Sequence, residues 1–222
     1  MEQIRIISEK YKLTYFNIRG RAEQIRLMFA VAQVPFQDLR IDATEWPSFK
    51  SSTSWGQLPM LEVIMEEEDG NHSDPSNIKI TQTMAIIRFL AKKFGFYSND
   101  HYQAAHIDEV GYVVGELLDE WYKYEFESSD DQKKAVQKEA LVTTHFPNYF
   151  EKLSRCHLKY GGPYLLGEKL TFPDVMLAQL LGSVEEEFDG GDGVIDQYPV
   201  MRTLKDAIWT IPSVKTYAGQ RL

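Results

Sequence analysis

Tyr15-Phe16-Asn17-Ile18-Arg19-Gly20-Arg21-Ala22-Glu23 is the stretch on which the fold turns, because the hydrophobic period changes inside it. Just before it, Lys12-Leu13-Thr14-Tyr15-Phe16 alternates, with Leu13 and Tyr15 on one face, as a strand does. From Arg21 onward, Ile25, Met28, Phe29 and Ala32 fall at i, i+3, i+4 and i+7, one stripe of a helix, and Pro35 helps to end it. A tyrosine therefore closes a strand at the mouth of a helix.

Outward from this junction, Phe36 to Ile41 reads as a second strand and Leu58 to Ile64 as a third. A polar loop separates the third from Ile78-Lys79-Ile80, and a helix follows from about Thr83 to Phe94. The order β-α-β…β-β-α predicts a thioredoxin-like α/β layer of about 85 residues. Residues 1–9 form an N-terminal extension, and 10–95 the α/β domain. Gly95, Ser98, Asn99 and Asp100 mark a linker, placed at 96–103. From 104 to 222 the pattern is all-helical. Ile107, Val110, Val114, Leu117 and Trp121 make one buried face of a long helix. At Thr171-Phe172-Pro173-Asp174-Val175 the threonine can cap a helix while Asp174 bonds back, with Leu170 and Val175 at staple positions. No internal repeat interrupts the chain.

Composition bounds the function. The chain has 222 residues, 43% of them hydrophobic, long enough for a real core. A net charge of −9 argues against a nucleic-acid surface and against an anionic membrane as partner. One cysteine, Cys156, excludes an internal disulfide framework and suits a reducing compartment. The first residues lack the apolar core of a signal peptide, and no run reaches transmembrane length. A cytoplasmic protein is the expectation.

Two further segments bear on chemistry. Gly56-Gln57-Leu58-Pro59 sets a proline at the entry to a strand, and Gln82-Thr83-Met84-Ala85-Ile86 sets a polar pair before an apolar helix. A helix N-terminus offers free N–H groups and partial positive charge to a carboxylate. With the Tyr15 segment, they describe a site that grips a small, charged, peptide-like ligand and presents a hydroxyl to it. Read alone, Tyr15 is a strand aromatic, Lys50 a solvated charge and Thr83 a cap.

Taken in order, these motifs resemble the glutathione-binding domain of the cytosolic glutathione transferases, sigma class, and the likeness runs over about 10–222. It implies a thioredoxin-like N-terminal domain, an all-α C-terminal domain carrying the hydrophobic substrate site, and glutathione as co-substrate. Tyr15 would then stabilise the glutathione thiolate, with Arg21 supporting it electrostatically. A free thiol titrates near ~8.5, so it is mostly protonated at neutral pH. One charge-assisted hydrogen bond, at ~1.5–3 kcal/mol, is enough to lower that value by one to two units. The resemblance assigns Trp46 and Lys50 to the glycine end of glutathione, and the backbone of Leu58, ahead of a cis Pro59, to its cysteinyl unit. Gln57, Gln82 and Thr83 complete the grip, Thr83 where the family more often has serine. Glu116, on the long helix, would reach a partner subunit's glutathione.

Phe16 and Tyr112 are the candidates for the hydrophobic-electrophile pocket, with Trp121, Tyr122 and the C-terminal segment as further options. Trp55 stands where some classes carry an aromatic key to the neighbouring subunit, and a homodimer is implied. No metal is predicted. No cysteine stands at the strand–helix junction, so dithiol redox chemistry is not expected, and Cys156 reads as a buried small residue. Residues 65–79 depart from the family as an acidic hairpin insertion. Conjugation of hydrophobic electrophiles is the leading expectation. Isomerisation of prostaglandin H2 to prostaglandin D2, and a non-catalytic carrier or S-crystallin-like structural role, are the alternatives.

Overall fold

The computed structural model describes residues 7–67, 78–126, 130–188 and 194–220. The acidic segment expected at 65–79 falls for the most part (68–77) outside them. The chain divides into two compact units, with the boundary between Leu90 and Ala91.

The first unit is a four-stranded mixed sheet with helices, in the order β2-β1-β3-β4. Strand β1 (Ile7–Phe16) pairs in parallel with β2 (Gln37–Ile41), the two joined by α1 (Glu23–Ala32). Antiparallel to β1 runs β3 (Met60–Glu67), which pairs in turn with β4 (Ile78–Thr81). Helix α3 (Thr83–Phe94) begins where the sequence places it. A short helix, α2 (Trp46–Phe49), fills the connection from β2 towards β3. Leu13, Ile25, Met28, Leu61, Ile86 and Leu90 are fully buried and make the core. At one end Tyr11 meets Phe29 at 5.4 Å between ring centroids, and Phe29 stacks on Phe36 at 4.4 Å.

Strand β1 starts at Ile7, inside the stretch expected to be an extension. The cause is pairing rather than local propensity. Ser8, Glu9 and Lys10 stand opposite Glu66, Met65 and Ile64, so the length of β3 draws them into the sheet. Helix α1 is buried more widely than a single stripe: Glu23, Gln24, Arg26 and Leu27 are inside together with Ile25, Met28 and Phe29.

The second unit is helical. Helix α4 (His101–Phe126) begins within the expected linker and buries the predicted stripe of Ile107, Val110, Val114, Leu117 and Trp121. Asp130 caps α5 (Asp131–Ala140), which runs through a π-turn at Leu141–His145 into α6 (Phe146–Tyr160). Central to the unit is α7 (Phe172–Glu187), apolar nearly all round and accordingly buried nearly all round, packed on α4 and on α8 (Pro199–Trp209). The short α9 (Pro212–Ala218) follows. The expected capping box is present at α7: Thr171 and Asp174 satisfy each other's backbone, and Asp174 also accepts the Leu165 N–H at 2.8 Å.

Candidate functional site

The turn after β1 sets Tyr15 in place. Tyr15 is buried, and its hydroxyl oxygen accepts the backbone N–H of Arg21 at 3.3 Å. Gly20 lies against it: a Cβ there would stand 2.9 Å from the phenol oxygen, and the backbone at φ +42° is one that side chains other than glycine rarely adopt. The turn is held from below by Arg26, which is fully buried on α1. Its Nη1 donates to the carbonyls of Ile18 (3.2 Å) and Arg19 (3.1 Å) and to Glu23, while its Nε donates to Asp38 on β2 at 3.0 Å. Two acids and two carbonyls thus engage the Nε and Nη1 of a buried guanidinium that ties the turn to the sheet, while its Nη2 has no hydrogen-bond partner among the described residues. Sequence reading missed this clamp, although a charge at position 26, between Ile25 and Leu27, was a visible irregularity.

Beside the turn is an open cleft of about 500 Å³. Phe16, Arg21, Trp46, Gln57, Leu58, Gln82 and Thr83 line it, while Tyr15 and Lys50 are not among its lining residues. Met84 and Gly56, which stood in the two motifs without an expected binding role, also line it. Among these residues Arg21 carries charge and none is acidic, which favours an anionic ligand. Phe16 stands edge-on to Trp46, with ring centroids 5.5 Å apart, so the residue expected to face the electrophile sits at the margin of this same cleft.

The Leu58–Pro59 peptide bond is cis, and Pro59 is buried at the head of β3. Among the described residues, neither the N–H nor the C=O of Leu58 enters a hydrogen bond, which leaves both to a ligand backbone. Gln82 has φ +74°, unusual for a residue with a side chain, and its Nε2 donates to Gln57 Oε1 at 2.6 Å. Its carbonyl accepts the Ile86 N–H at 3.0 Å, so Gln82 holds the entry to α3 and Thr83 is the first helical residue rather than the cap. The Thr83 hydroxyl enters no hydrogen bond among the described residues. Lys50 is exposed, its chain lying over Gly56, where a Cβ would meet Lys50 Cε at 3.1 Å.

Family comparison decides what this constellation belongs to. Residues 11–92 match the model of the glutathione S-transferase N-terminal domain, and 115–221 that of the glutathione S-transferase C-terminal domain. The chain belongs to the glutathione S-transferase family. Human glutathione S-transferase A2 is 33% identical over 95% of this chain and 89% of that protein. S-crystallin SL11 of Nototodarus sloanii is 30% identical, covering 95% and 96%. A solved structure of prostaglandin synthase D from Nilaparvata lugens superposes with a TM-score of 0.78 at 32% identity, over 96% of this chain and 98% of that one. Glutathione is the co-substrate of this transferase family, and hydrophobic compounds are its second substrates.

The remaining expected residues, Trp55 apart, lie on the helical unit of this transferase. Tyr112 is exposed on α4. Glu116 is exposed and accepts a hydrogen bond from the Tyr149 hydroxyl at 3.1 Å, which helps hold that phenol's proton above its ordinary range after burial, the larger cause. Trp121 and Tyr122 are 3% and 4% exposed, so they belong to the core and not to a substrate wall. Cys156 is half-buried, with Sγ 3.7 Å from the Leu165 carbonyl oxygen, and burial pushes its thiol above the ordinary value. That is the wrong direction for a nucleophile. Trp55 is 74% exposed on the loop before Gly56.

Proposed function

We propose that this chain is a sigma-like glutathione transferase in which Tyr15 stabilises the glutathione thiolate for attack on hydrophobic electrophiles. The observation that carries the reading is the Tyr15 hydroxyl, held by the Arg21 N–H and by Gly20, with Arg21 itself lining an adjacent cleft whose lining holds no acid. Accepting an N–H bond polarises the phenol and makes its own proton a stronger donor to sulfur. The ligand would lie with its γ-glutamyl carboxylate on the α3 N-terminus, at Gln82 and Thr83. Its cysteinyl backbone would pair with Leu58 as an added strand, and its glycine carboxylate would meet Lys50, with Trp46 alongside. Proximity, orientation and thiolate stabilisation then supply the rate. Phe16 and Tyr112 are the residues we assign to the electrophile. We read the protein as a cytoplasmic detoxification enzyme and a homodimer, with Glu116 reaching the partner subunit's glutathione.

Likeness to a structure named prostaglandin synthase D favours a second reading, in which the same thiolate isomerises prostaglandin H2 to prostaglandin D2. Supplying that endoperoxide beside an aromatic halide separates the two. Likeness to an S-crystallin raises a purely structural role, against which stands the full set of Tyr15, Arg21, Lys50, Gln57, Gln82 and Thr83.

The test is ultraviolet difference titration of bound glutathione with a conjugation assay, wild type against Tyr15→Phe. A thiolate band near neutral pH in wild type is expected to move up by one to two units in the variant, with turnover falling at least tenfold. Binding without ionisation or turnover would replace the enzyme with a carrier, and no binding would remove the glutathione reading.

A further inference from the structure

Between Lys50, assigned to the ligand's glycine end, and Gln57, next to the Leu58 backbone assigned to its cysteinyl unit, runs the loop 50–57, and one buried side chain organises it. Thr53 is 7% exposed in a segment whose neighbours Ser51, Ser52, Ser54 and Trp55 are all exposed. Its hydroxyl donates to the Lys50 carbonyl at 2.9 Å and accepts the Gln57 N–H at 3.1 Å. The Thr53 N–H also donates to the Lys50 carbonyl (3.3 Å), and its carbonyl accepts the Gly56 N–H at 3.4 Å. Four hydrogen bonds from one residue therefore fix Lys50 relative to Gln57. The Lys50 side chain is laid over Gly56, which has φ +62° and no Cβ to obstruct it.

We propose that Thr53 is a positioning residue for glutathione, setting the Lys50 ammonium, relative to the Gln57–Leu58 backbone, where the ligand's glycine end requires it. This rests on the transferase reading above. A lysine on a long stem binds a carboxylate well only where its backbone anchor is held, because ordering a free stem is entropically costly. The hydroxyl is the group that supplies this anchor on both sides. Valine has the same branched shape but can neither donate to Lys50 nor accept from Gln57, and serine keeps both bonds and loses a methyl.

The experiment measures glutathione and γ-glutamylcysteine, which lacks the glycine carboxylate, against wild type, Thr53→Val and Thr53→Ser. Calorimetric binding and steady-state conjugation are read for each. In Thr53→Val, KM and Kd for glutathione are expected to rise about tenfold, with kcat at saturation moving less than twofold. Affinity for γ-glutamylcysteine should change less than threefold, and Thr53→Ser should restore glutathione binding to within threefold of wild type. Should the valine variant fold poorly, Thr53→Ala removes the same hydroxyl and carries the same comparison. Unchanged KM, an equal loss for both thiols, or a fall confined to kcat or thermal stability would each overturn the proposal. Wild type that binds neither thiol would instead remove the transferase reading itself, before any variant is compared.

Discussion

At position 20 an added methyl group would stand 2.9 Å from the Tyr15 oxygen and 3.0 Å from its ring carbon Cε1, in a backbone conformation that alanine resists. Alanine there must move either the phenol or the turn. Gly20→Ala is therefore expected to cost about 1–2 kcal/mol of stability and to lower conjugation at least tenfold, since hydroxyl and sulfur must meet within hydrogen-bond range. Denaturant unfolding and turnover check both, and full activity would detach Gly20 from the placing of Tyr15. At this scale the sequence was most legible where a segment carries its own local meaning. Tyr15, Arg21, Gln57, Gln82 and Thr83 all sit at element ends, and six of the expected residues besides Arg21 line one cleft. Arg26 and Thr53 were not legible, because their value lies in partners brought near by the fold. Asp38 reaches Arg26 of α1 from strand β2, and Thr53 is one hydroxyl residue among four in a row, singled out only by being buried.

Among the elements, the entry to α7 is where local chemistry and packing agree most closely. Asp174 is 2% exposed and accepts from the N–H groups of Leu165 and Thr171, both at 2.8 Å, and from the Thr171 hydroxyl at 2.7 Å. Removing it leaves two buried N–H groups without an acceptor at the head of the most buried helix of the unit. Asp174→Ala should thus cost about 3 kcal/mol, read as a lowered urea midpoint with an unchanged slope, while Thr171→Ala should cost about 1 kcal/mol. Equal midpoints for Asp174→Ala and wild type would mean that the box is dispensable. This start was legible because a cap is a four-residue pattern. The start of β1 was not, since Ser8, Glu9 and Lys10 have little strand preference and are recruited by β3. Nor was the π-turn at Leu141–His145, where α5 and α6 join without a break and the nearest proline, Pro147, already lies inside α6.

For the whole molecule, the balance of −9 contrasts with a cleft whose charged lining is Arg21, with Lys50 close by. An acidic protein with a local cationic site suits a small anionic co-substrate and disfavours large polyanions. Trp55 poses a separate question, since a tryptophan 74% exposed on an ordered loop presents more apolar surface to water than the chain does at most of its other large side chains. In a two-fold homodimer each protomer would bury one such ring, so that one substitution removes two anchors. Sedimentation at falling concentration should therefore find wild type at twice the 25.7 kDa chain mass down to micromolar levels. Trp55→Ala should dissociate at least about a hundredfold more readily. The ring supplies its own signal: dilution that separates protomers should red-shift tryptophan emission in wild type, and less so in Trp55→Phe. A wild type that sediments at the chain mass at ~10 µM, well above a typical dimer Kd, would end the homodimer reading and, with it, the cross-subunit role of Glu116. A Trp55→Ala protein that stays at twice the chain mass would keep the dimer and move its anchor elsewhere.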